Sequence, residues 1–159
     1  MDEKTKLMTN ALLDGAYRAT GYILGPQQLK AFVRSFGEVS MEHILSAQGL
    51  ELKGTDAATA ATAWVNAETK VGLHAGDHTE IEADGDGFQA TYTDCAFAET
   101  CGEILADLIS QNLVATEDLP CMRCSFSVAA VSKATGNKAK YKMLQHAPGF
   151  RCRCSVNPI

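Results

Sequence analysis

Six cysteines stand in this chain of 159 residues, and all of them lie in its C-terminal half. Four fall into two short signatures, Pro120-Cys121-Met122-Arg123-Cys124 and Phe150-Arg151-Cys152-Arg153-Cys154. Cys121 and Cys124 follow a proline and are spaced to share one face of a helix start. The unpaired amides and positive dipole there favour thiolate over thiol. Cys152 and Cys154 are two apart in an alternating stretch, so both point to one face of a strand. A fold that lays this strand end against that helix start gathers four sulfurs. Cys121, Cys124, Cys152 and Cys154 are then the ligand set of a tetrahedral Zn2+ site, with His146 as a nearby nitrogen ligand, or alternatively of an iron–sulfur cluster. Buried or redox thiols are the competing reading. A rival enzymatic reading, a hydrolase or redox protein, makes Cys95 or Cys121 a nucleophile; that needs a neighbouring base, which the spacing does not supply.

Other chemistry is thin. G-x-S-x-G, the P-loop, G-x-G-x-x-G and H-E-x-x-H are all absent, and no general acid–base pair emerges, so no catalytic residue is assigned. Whether the chain is an enzyme stays open, with the balance against it. His43, His74, His78 and His146 are dispersed. Asp84-Gly85-Asp86-Gly87 is a turn and not a calcium loop, because position 95, where the closing glutamate would fall, is Cys.

The net charge is −5, and no basic stripe exists to neutralise phosphates, which argues against a nucleic-acid partner. The start Met1-Asp2-Glu3-Lys4 is polar and no apolar run reaches spanning length, so a cytoplasmic protein without a membrane span is expected. The length suits a single domain, 1–159, with a core of its own.

The elements that must position the cysteines follow from periodicity. A helix is expected over 4–24, stopped by Gly25-Pro26. A second starts at Pro26 and closes at Gly37, and a third starts at Ser40. A fourth, rich in Ala and Thr, spans 56–72 with Asp56 as its cap. The period then changes to two: Thr79 and Ile81 alternate with Glu80 and Glu82, the Asp-Gly turn follows, and Phe88, Ala90 and Tyr92 alternate beyond it. Helices over 98–114 and 125–134 precede a second hairpin, 140–145 and 150–156. The fold class is α+β: N-terminal helices, hairpin, two helices, hairpin, forming an antiparallel four-stranded sheet with helices on one face. Trp64, Phe88 and Tyr92 are expected to line an apolar pocket between helices and sheet. Leu12, Leu13, Tyr22, Ile23 and Leu24 spread around the first helix, which predicts a homodimer built on the N-terminal helices.

This order and the cysteine-bearing end resemble the 4-vinyl reductase domain and its relatives among the vesicle-tethering transport-particle subunits. Pro120-Cys121 stands where the first cysteine of that pattern falls, one residue closer to its proline; Gly149 resembles its turn glycine and Cys154-Ser155-Val156 its final element. His146 falls where a middle cysteine is expected, and Met143 stands at a glutamate position. The stretch Asp94-Cys95-Ala96-Phe97-Ala98-Glu99 is similar to a motif of 2-amino-thiazoline-4-carboxylate hydrolase-like proteins. The vinyl reductase resemblance implies a metal-binding domain that binds a small hydrophobic molecule as sensor, carrier or accessory protein, passing its signal to a separate protein partner.

Overall fold

The structure, a computed structural model, describes residues 3–72, 78–95 and 97–159. His74 and Ala96 of the motifs above lie outside the described residues. The chain runs α1 (Glu3–Ala19), a π-helical turn (Thr20–Leu24), α2 (Pro26–Gln48), α3 (Ala57–Lys70), β1 (Thr79–Asp84), β2 (Gly87–Thr93), α4 (Ala98–Ser110), a 3-10 turn (Thr116–Asp118), α5 (Met122–Thr135), β3 (Ala139–Gln145) and β4 (Arg151–Pro158). The α+β order and the antiparallel four-stranded sheet, with its helices on one side, agree with the sequence reading.

The sheet order is β1-β2-β4-β3. Each hairpin contributes one inner strand, and β2 pairs with β4 to join them. Phe88 faces Val156, Ala90 faces Cys154 and Tyr92 faces Cys152 across that seam. Directly paired residues share a face, so one row of side chains, all but Cys152 fully buried, looks toward the helices. Glu80 and Glu82 on β1 point outward and are exposed.

Helix α5 runs through the middle. Ten consecutive residues, Met122 to Val131, are buried. A helix apolar and small-sided all round must be enclosed, and α2, α3, β3 and β4 enclose it. Asp56 caps α3 as expected, accepting the Thr59 amide at 2.8 Å while the Thr59 hydroxyl reaches back to the Asp56 amide.

Among the described residues three α-helices precede the first hairpin, where four were expected. Gly37 does not end a helix and Ser40 does not start one; α2 is continuous through both. Gly37 is there for contact. A Cβ on it would lie 2.6 Å from Ser125 Oγ and 2.9 Å from the Ser125 carbonyl carbon of α5. Glycine permits close backbone approach at some cost in helix propensity.

Candidate functional site

The Leu119-Pro120-Cys121 turn carries the chain into α5, and two far-off side chains hold it. Tyr17 of α1 donates to the Pro120 carbonyl at 2.7 Å. Tyr141 of β3 donates to the Leu119 carbonyl at 2.6 Å and accepts the Cys121 amide at 2.8 Å. Cys121 is the residue capping the helix, and its Sγ accepts the Cys124 amide at 3.3 Å. Burial pushes the Tyr17 and Tyr141 hydroxyls well above their ordinary range, so both stay protonated donors.

The two sulfurs of this motif differ. The Cys124 thiol hydrogen-bonds to Cys121 and holds it below the ordinary thiol range against burial, helped by the Cys124 and Arg123 amides and the Arg123 charge. Cys124 itself is pushed up, first by burial and then by its contacts with Cys121 and Cys154. Cys154 also lies 3.9 Å from the Tyr92 hydroxyl, which in turn bonds Ser127 at 2.7 Å.

A small cavity opens beside Cys121. The end of β2 and the loop after it contribute Tyr92 and Cys95, the start of α4 contributes Phe97, Ala98, Cys101 and Leu105, and α5 contributes Cys121 and Arg123. The β3–β4 turn closes it with His146, Pro148 and Cys152. Its volume is about 20 Å³. Burial pushes the Cys95 thiol up to about 12 and raises Cys101 and Cys152 as well, while it lowers the His146 imidazole.

The polar anchor of this cavity escaped the sequence reading. Arg123 is 5 % exposed and pairs with the buried Glu68 of α3; it also reaches Thr79 Oγ1 at 3.3 Å and lies 5.2 Å from the Tyr92 ring centre. Glu68 is pushed up by burial, opposed by Arg123. Arg123 Nε, Glu68 Oε2 and Trp64 Nε1 find no hydrogen-bond partner among the described residues. An arginine inside C-x2-C, followed by a run of apolar and small residues, was the signal available.

The residues expected at the site are only partly brought together. Cys121, Cys152 and His146 line the cavity; Cys124 and Cys154 lie behind Cys121, away from it. No three of the His, Cys, Asp and Glu side chains among the described residues stand in geometry to hold a metal ion. The five expected ligands are thus neighbours without forming a ligand set, and Met143, at the glutamate position, is buried opposite Cys154. Of the expected pocket residues, Tyr92 lines the cavity. Trp64 instead stacks on Phe126, ring centres 5.4 Å apart, and Phe88 packs within the core.

A wider, open depression of about 210 Å³ lies between α2, α5 and β3. Its rim mixes Lys30, Arg34 and Lys140 with Glu38, Glu117 and Asp118, which marks it as a solvated surface more than an enclosed site.

No protein-family model matches the chain, and no curated protein matches it. Among solved structures, it is similar to the phenol-responsive sensory domain of the transcription activator PoxR, determined with phenol. The identity is 12 %, the TM-score 0.57, and the match covers 94 % of this chain and 74 % of that one. At this identity the likeness establishes a shared fold. No helix among the described residues is long and apolar enough to cross a membrane.

Proposed function

We propose that this chain is a small-molecule-responsive domain whose effector occupies the space between the starts of α4 and α5, the end of β2 and the start of β4. The cavity itself carries the reading: apolar and sulfur-bearing walls surround one buried guanidinium with an unpartnered nitrogen. Apolar walls with few, fixed polar groups are the common form of a small-ligand site. The fold shared with a phenol-responsive sensory domain supports it, as does the resemblance to vinyl reductase domains.

At about 20 Å³ the cavity accepts a ring compound only after a wall moves. Phe97 and Leu105 of the α4 region are that wall. Displacing α4 disturbs α1, which is tied to it by Arg18 on Glu103 at 2.7 Å and by Tyr22 on Asp107. Leu12 on α1 and Ile23 and Leu24 on the following turn are exposed. A homodimer formed on that face converts effector binding into a change between subunits, and a separate protein reads it out.

Phenol serves as the probe. Calorimetry and thermal melting are run on the wild type, on Leu105→Ala, which widens the cavity, and on Ala98→Trp, which fills its wall. Phenol should raise the melting temperature of the wild type, raise that of Leu105→Ala more, and leave Ala98→Trp unmoved. No heat and no shift with millimolar phenol in any of the three would sink the proposal.

A further inference from the structure

Two adjoining thiols are more than an effector site requires. Cys121 and Cys124 stand together at the start of α5, where Cys121 Sγ accepts the Cys124 amide at 3.3 Å. Side chains three apart on a helix start are within reach of a disulfide. Cys121 faces the cavity, while Cys124 is fully buried behind it. Arg123, nine-tenths buried and more, lines the same cavity with its Nε unpartnered. The space of about 20 Å³ suits a molecule little larger than water, since one water needs roughly 10–15 Å³ on this measure. That size admits hydrogen peroxide without movement of a wall.

We propose that Cys121 and Cys124 form a redox-active dithiol that reduces a small hydroperoxide admitted to this cavity and closes to a disulfide. The Cys121 sulfur attacks one peroxide oxygen; an S–O bond forms as the O–O bond breaks. The departing oxygen takes up the proton given up by Cys121 and leaves as water, and Cys121 becomes a sulfenic acid. The Cys124 sulfur then attacks the Cys121 sulfur. The S–S bond forms, the S–O bond breaks, and the hydroxyl leaves with the Cys124 proton as a second water. The dithiol loses two electrons and two hydrogens, and the peroxide gains them. The Arg123 guanidinium is placed to orient the peroxide and to stabilise charge on the departing oxygen. The step does not depend on the effector reading, because it needs the sulfur pair and room for a peroxide only.

The test uses the full chain, reduced and freed of reductant, then treated with one equivalent of hydrogen peroxide. The remaining thiols are alkylated and the peptides weighed. The expected product links Cys121 to Cys124 and leaves the other four cysteines alkylated. Cys124→Ser should hold a sulfenic acid on Cys121 that dimedone captures. Oxidation shared among all six cysteines, or starting at Cys95 or Cys152, overturns the proposal. So does a chain that resists peroxide, including one whose elemental analysis shows a stoichiometric metal and whose thiols react only after chelation. The wild-type measurement decides even if a variant fails to fold.

Discussion

Tyr141 stands twenty residues from Cys121 in sequence, yet its hydroxyl completes the hydrogen bonding of the turn into α5. Tyr141→Phe leaves the Cys121 amide and the Leu119 carbonyl unpaired in a buried place, at a cost of about 1–3 kcal/mol. Urea denaturation should show that loss, and an unchanged midpoint would mean the phenol does not hold the turn. The Arg123–Glu68 pair makes a sharper case. Removing one partner of a buried pair costs about 3–5 kcal/mol, whereas replacing both with apolar groups is often neutral. Glu68→Ala should therefore destabilise strongly, and Glu68→Met with Arg123→Met should recover most of the stability; additive losses in the double variant would refute the pair's isolation from water. His146 sets a pH dependence. Burial depresses its folded pKa below the ordinary 6.5, so just below that pH the unfolded chain binds the proton first. This contribution is complete above about pH 6.5 and is lost as the pH falls below it. Thermal melting across that window should slope downward on acidification, and His146→Gln should flatten the slope.

At the scale of elements, the α2–α5 contact is set by one missing side chain. Gly37→Ala gains up to about 1 kcal/mol of helix propensity. Its Cβ, however, meets the Ser125 backbone at 2.9 Å, and backbone cannot rotate away. Forcing two packed helices apart costs about 1–3 kcal/mol, so a net loss is expected, persisting in a Ser125→Ala background because the backbone contact remains. Stabilisation by Gly37→Ala would show that the helices separate freely. The same glycine explains the miscounted helices: Gly37 and Ser40 look like a stop and a start locally. The continuous apolar row Leu29, Val33, Met41 and Leu45 keeps one helix covered on one side throughout.

At the scale of the molecule, the N-terminal segment turns apolar side chains both inward and outward. Leu13 of α1 packs against the core, while Leu12 of α1 and Ile23 and Leu24 of the following turn are exposed. We propose that these exposed residues are covered by a second copy of the chain, since a two-fold pairing closes most simply. Light scattering at micromolar concentration should report a dimer, and Ile23→Glu with Leu24→Lys a folded monomer. A wild-type monomer would leave these residues without the proposed role.

The change of period from 3.6 to 2 made the helices and both hairpins legible, because side-chain direction along a regular backbone is a local property. It also placed Cys152 and Cys154 on one face and Cys121 at a helix start, and the register opposite Tyr92 and Ala90 agrees. The pairing of distant groups was not legible: Cys121 with Tyr141, Pro120 with Tyr17, or Arg123 with Glu68 across more than fifty residues. Those meetings depend on how α2 and α3 press α5 onto the sheet. That pressing is a matter of shape and close packing among many side chains, and no single stretch of sequence contains it.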